Sequence, residues 1–99
     1  MYMLGLGTIE GFEWDKGNID KSYLKHGINQ KEAEELFLDE NVLFVEDIKH
    51  SQKEKRFIAI GKTIQEHILF AAFTIRGKKI RIISVRIANQ KERRQYEKT

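Results

Sequence analysis

The sequence predicts an α+β domain: an antiparallel sheet of four to five strands, with two N-terminal helices and one C-terminal helix packed on it. Three observations carry this expectation. Two stretches in the first third place apolar residues at helical spacing behind good N-cap residues. Four runs between residues 42 and 87 are rich in β-branched and aromatic residues and are joined by short connections, so consecutive strands should pair as a meander. Near the carboxyl end, Asn89 and Glu92 have the spacing of a capping box.

In chain order, Met1 to Gly11 reads as a flexible leader within a single domain of residues 1–99. Phe12 and Trp14 alternate with Glu13 and Asp15, which suits a short strand. Asp15 can cap a first helix running to about Lys25, with Ile19 and Tyr23 buried and Gly27 closing it in the left-handed conformation. Asn29 caps a second helix, with Glu32 in capping-box position and Ala33, Leu36 and Phe37 on one face. Asp39-Glu40-Asn41 makes a turn. The strands then fall at Val42 to Val45, Lys55 to Lys62, His67 to Arg76 and Ile80 to Ile87. If Gly77-Lys78 is a two-residue turn, Arg76 opposes Lys79 and Thr74 opposes Arg81. Unbroken alternation then puts Leu69, Ala71, Phe73, Ile75, Ile80, Ile82, Ser84 and Arg86 on one face. Phe70, Ala72, Thr74, Arg76, Arg81, Ile83 and Val85 share the other. A helix from Asn89 ends the domain.

Composition narrows the function classes. The chain has 99 residues, 40% hydrophobic and 33% charged, enough for a core that buries about two-thirds of the unfolded surface. No apolar run approaches the ~20 residues of a membrane helix, and no secretion signal is recognisable, so a cytoplasmic protein is expected. Cysteine is absent, which removes disulfide scaffolds, thiolate metal sites and cysteine nucleophiles together. The net charge of +3 hides a division. Residues 1–75 hold 9 basic and 13 acidic side chains, net −4, whereas residues 76–99 hold 9 basic and 2 acidic, net +7. A basic block of that density suggests an anionic partner such as nucleic acid, or an acidic protein.

His26, His50 and His67 form no metal-ligating spacing, and the acidic pairs are adjacent in sequence, so their members diverge. No cofactor and no metal is expected. The phosphate-binding glycine loop is absent, and Ser84 lacks partners for a triad. What remains is arginine: Arg56, Arg76, Arg81, Arg86, Arg93 and Arg94. Guanidinium binds phosphate bidentately and stays charged. RNA can be cut without a metal because its own 2′-hydroxyl can attack the neighbouring phosphorus, given a proton acceptor, a proton donor and cationic stabilisation. Candidate proton carriers are His26, Glu92 and Tyr96. Each also has a structural reading: Glu92 as a capping residue, Tyr96 as a ring on the sheet, His26 at a helix C-terminus. His50 and His67 read as surface residues.

Several separated motifs resemble the BrnT family, the toxin half of a bacterial type II toxin–antitoxin pair. They are Phe-Glu-Trp-Asp at 12–15, Asn18 with Lys25-His26-Gly27, an acidic second helix ending near Phe37, and Arg56-Phe57-Ile58-Ala59-Ile60-Gly61. Thr74-Ile75-Arg76-Gly77, Arg81-Ile82-Ile83-Ser84-Val85-Arg86, Glu92-Arg93 and Tyr96 complete the pattern. The resemblance implies a RelE-like fold and a metal-independent endoribonuclease that arrests growth. It also implies neutralisation by a BrnA-like antitoxin in a heterotetramer, with DNA touched only through the antitoxin. Carried onto matching positions, it implies active-site roles for Arg56, Arg76, Arg81, Ser84 and Arg86, with His26 and Tyr96 beside them, and RNA contacts from Lys25, Thr74, Lys79 and Arg93. Two other readings stand: a non-catalytic RNA- or partner-binding module, and a toxin that has lost its activity.

Overall fold

The residues with the strongest preference for extended backbone form the middle of the sheet. In the computed structural model, which describes residues 2–3, 7–14 and 26–98, the first strands are β1 (Tyr2–Met3) and β2 (Gly7–Thr8), which pair with each other in a small separate sheet. The main sheet contains β3 (Gly11–Trp14), β4 (Leu43–Glu46), β5 (Phe57–Lys62), β6 (Ile68–Arg76) and β7 (Lys79–Ile87), in the order β3-β7-β6-β5-β4. Helix α1 (Gln30–Glu35) continues into a 3-10 turn (Leu36–Leu38), a second 3-10 turn spans Ile48–His50, and α2 (Gln90–Glu97) closes the described chain. The expected helix from Asp15 to Lys25 lies outside the described residues, so two helices of the expected three are in view among them.

One expectation is overturned: the sheet is mixed, not antiparallel. β4 through β7 form the antiparallel meander, but β3 pairs parallel to β7, with Phe12 opposite Ile80 and Trp14 opposite Ile82. Neighbour-to-neighbour reasoning cannot see this pairing, because the two strands are far apart in sequence. It also draws in the segment expected to be a leader. Ile9 is 3% exposed within the core, and the Glu10 N–H donates to the Lys78 carbonyl at 2.7 Å.

The Gly77-Lys78 turn forms as expected, with Gly77 at φ +61° in the first central position that such hairpins reserve for glycine. Arg76 lies opposite Lys79 and Thr74 opposite Arg81. Beyond that point the ladder slips. Phe73 faces Ile82 while Ala72 faces Ser84, leaving Ile83 as the extra residue of a β-bulge. The bulge reverses alternation in the second half of β7. Ser84 and Arg86, expected beside Phe73 and Ile82, instead share the face of Thr74 and Arg81, and Val85 crosses to the core face at 3% exposure.

The two faces are covered differently. On one, Phe12, Phe44, Phe57, Ala59, Leu69, Ala71, Phe73, Ile80, Ile82 and Val85 pack against Ile28, Ala33, Leu36 and Phe37, with Phe37 and Phe73 rings edge to face at 5.1 Å. On the other, α2 covers only the end holding Ile60, Ile68 and Phe70, through Tyr96. The rest of that face, towards the Gly77-Lys78 turn, has no helix on it among the described residues.

Candidate functional site

The open half of this second face is where the polar residues of β3, β6 and β7 come together. Register places Glu13 beside Arg81 and Arg81 beside Thr74. Continuing the β5–β6 register one step past Phe57 and Phe73 brings Arg56 beside Thr74. Glu13, Arg81 and Thr74 thus make a row across β3, β7 and β6 that continues to Arg56, the residue just before β5, with Arg76 one diagonal step away. Thr74 is 2% exposed and its Oγ1 has no hydrogen-bond partner, although buried hydroxyls are normally satisfied. Thr74 thus holds a buried, unpartnered hydroxyl at the position between Arg81 and Arg56 in the row.

Carboxylates meet two of these arginines. Arg81 Nη1 is 3.1 Å from Glu13 Oε1. Arg76 reaches Glu54 through Nε at 3.1 Å and Nη2 at 3.4 Å. The hydrogen bond to Glu54, with the charges of Glu54 and Glu13, raises the Arg76 pKa above its ordinary value, so its charge is secure. The carboxylates Glu13 and Glu54 are members of the site that sequence reasoning missed. Glu13 shows only as a polar residue between Phe12 and Trp14, and nothing local announces its partner.

Arg86 belongs to a different arrangement. Its Nη1 and Nη2 each lie 2.8 Å from an oxygen of Glu92, and its guanidinium carbon stacks 4.1 Å from the centre of the Phe70 ring. Glu92 also accepts from the Asn89 N–H and closes the capping box of α2. The Glu92 hydrogen bond raises the Arg86 pKa; burial pushes that of Glu92 up, but Arg86 and Asn89 outweigh it and hold it low. Both groups are therefore charged and committed to each other.

The remaining expected site residues are dispersed. Ser84 is exposed on the open face beside Ala72, and Lys79 is exposed at the turn opposite Arg76. Tyr96 is buried under α2, its hydroxyl donating to Asp39, far along the sheet from the arginine row. Arg93 is exposed on the same helix. His26 is exposed in the segment leading to α1, which packs on the opposite face. Lys25 lies outside the described residues. Among the described residues, no three His, Asp or Glu side chains converge as a metal ion would require.

The family model described as "Ribonuclease toxin, BrnT, of type II toxin-antitoxin system" matches residues 14–92. The chain belongs to the BrnT family. Among solved structures, the BrnT-family chain is similar to the ribonuclease toxin BrnT of Brucella abortus, at 22% identity and a TM-score of 0.62, over 84% of this chain and all of that one. No curated protein matches it. The BrnT match spans Arg56, Thr74, Arg76, Arg81, Ser84 and Arg86, while Glu13 lies one residue outside it and Arg93 and Tyr96 lie beyond its end.

Proposed function

We propose that this chain is a metal-independent endoribonuclease of RelE-like architecture, acting in the cytoplasm as the toxin of its pair, and that the row of Arg56, Thr74 and Arg81 with Arg76 holds the scissile phosphate. The observation that carries the reading is the convergence of these four residues on the half of the sheet that neither described helix covers. RNA would displace Glu13 and Glu54 from Arg81 and Arg76. Both ion pairs are partly exposed and therefore weak, and a phosphate diester offers the same bidentate geometry. Once bound, the guanidinium groups face the charge that builds on the phosphoryl oxygens as the 2′-oxygen attacks. Ser84 and Lys79 flank the row and contact the strand on either side. Arg86 supports the site indirectly, by fixing α2 on the sheet. A BrnA-like antitoxin in a heterotetramer would neutralise the toxin, and growth arrest is the expected result of its absence.

The test is cleavage of single-stranded RNA in EDTA by the purified protein. Arg81→Ala and Arg76→Ala should each lower the rate by at least about a hundredfold while leaving the melting temperature near that of wild type. Arg86→Ala should do the reverse. It should lower the melting temperature by several degrees, because the loss of an ion-paired partner for a largely enclosed carboxylate costs about 1–2 kcal/mol. Protein that binds RNA but never cuts it would favour the non-catalytic binding module.

A further inference from the structure

The loop between β4 and β5 is tied shut at its base. The Asp47 N–H donates to the Arg56 carbonyl at 2.8 Å, and the Ser51 hydroxyl donates to the Asp47 carbonyl at 2.6 Å while accepting from the Arg56 N–H at 3.0 Å. These bonds keep Asp47 next to Arg56, an arginine of the row. Asp47 also holds a histidine. Its Oδ2 lies 2.8 Å from His50 Nδ1, and its side chain is only 17% exposed, against 56% for His50. An ionised carboxylate can only accept, so in the neutral ring Nδ1 carries the proton and Nε2 is left as an acceptor. Among the described residues Nε2 has no partner.

His50 lines a cleft of about 400 Å³ together with Lys49, Gln52, Lys53, Glu54 and Arg56. Glu54 is the carboxylate that holds Arg76, so the cleft adjoins the arginine row through two of its own walls. An imidazole in a fixed tautomer therefore stands beside a cationic surface suited to phosphate. The charged groups around it are Asp47 on its own turn and Lys49, Lys53, Glu54 and Arg56 about the cleft.

We propose that His50 is the proton acceptor for the ribose 2′-hydroxyl and Asp47 its positioning residue, an assignment that rests on the ribonuclease reading above. The 2′-O–H bond breaks and its proton passes to Nε2 as the 2′-oxygen bonds to phosphorus. The P–O5′ bond breaks, and the departing oxygen takes a proton from a water molecule, whose hydroxide is neutralised when the imidazolium returns its proton. The products are a 2′,3′-cyclic phosphate and a 5′-hydroxyl end. Because the step requires the unprotonated ring, the rate should fall towards acid and level towards alkaline pH.

The experiment measures single-turnover cleavage of a labelled single-stranded RNA from pH 5 to 9 by wild type, His50→Ala and Asp47→Asn. In parallel, fluorescence anisotropy follows binding of the same RNA with every 2′-hydroxyl methylated. His50→Ala should lose about a hundredfold or more in rate, and with it the acid limb, while binding changes by less than about threefold. Asp47→Asn should lower the rate less, again with binding within about threefold of wild type. A His50→Ala protein that cuts at the wild-type rate with the wild-type profile overturns the assignment alone. So does one whose cleavage and binding fall by the same factor, which would make His50 a docking contact. A wild-type protein that cuts nothing overturns the ribonuclease reading, and this assignment with it.

Discussion

Asp39 joins three parts of the chain that local sequence gives no reason to connect. Its carboxylate accepts from the Asn41 N–H in its own turn, from the Lys62 N–H at the end of β5, and from the Tyr96 hydroxyl on α2. Burial pushes its pKa up, but these donors prevail and hold it below the ordinary value. The same contact acts oppositely on Tyr96, whose hydroxyl is pushed up to about 12 by burial and by Asp39. An unfolded tyrosine titrates near 10. Because the folded value is the higher one, the stabilisation from the neutral hydroxyl is complete below about pH 10 and is lost as pH rises towards 12. Tyr96→Phe should therefore melt about 4–8 °C below wild type at neutral pH, for a loss of about 1 kcal/mol. The gap should narrow between pH 10 and 12. Thermal melts followed by circular dichroism check this, and a gap constant with pH would contradict it. The residue scale was only partly legible in sequence. Asn89 and Glu92 form the full capping box, whereas Glu32 contributes only its N–H to Asn29. Its carboxylate turns away to Thr63 Oγ1 and His67 Nδ1, partners whose proximity depends on the whole fold.

At the scale of elements, the hairpin was readable because its information is local: a glycine at the turn fixes the register of the residues beside it. The bulge at Ile83 was not, since alternation of polar and apolar residues on β7 is equally well formed in either phase. The short strand Gly11–Trp14 was legible as extended backbone, but its partner was not. Another feature hidden from sequence is the approach of β5 to the 3-10 turn after α1. A Cβ on Gly61 would lie 2.4 Å from the Leu36 carbonyl oxygen and 3.1 Å from its carbonyl carbon. Both are backbone atoms of a residue with no exposed surface, so neither can swing aside. Gly61→Ala should destabilise the fold by more than about 2 kcal/mol. Gly11→Ala, where nothing lies within 4 Å of the added carbon, should change stability by less than about 0.5 kcal/mol. Denaturant titration of the pair distinguishes close approach from the general effect of adding a methyl group, and equal losses would remove the argument.

For the molecule as a whole, the division between an acidic body and a basic end is partly undone by folding. Glu10 meets Lys78, Glu13 meets Arg81 and Glu54 meets Arg76, each pair joining the net −4 stretch to the net +7 stretch. The linear sequence shows the excess of cations and their common address near one turn, but cannot show which carboxylates fold back over them. Binding of RNA must then be an exchange of carboxylate for phosphate and should depend steeply on salt. Contacts from Arg56, Arg76 and Arg81 to three phosphates predict a slope of log affinity against log salt of about −2, and Arg81→Ala should make it shallower by about 0.7. Titrations of non-cleavable RNA by anisotropy from low to physiological salt measure both, and a flat dependence would rule out the phosphate row. The β-bulge has a consequence of its own for how this chain can vary. It gives β7 two reading frames: before Ile83 an odd-numbered side chain, Arg81, looks outward, and after it the even-numbered Ser84 and Arg86 do. Deleting Ile83 would merge the frames into one regular ladder with Arg81, Ser84 and Arg86 all still outward, because Ile83 is the residue left without a partner across the strand. The strand should therefore accept the loss of that one residue more readily than the loss of any paired neighbour.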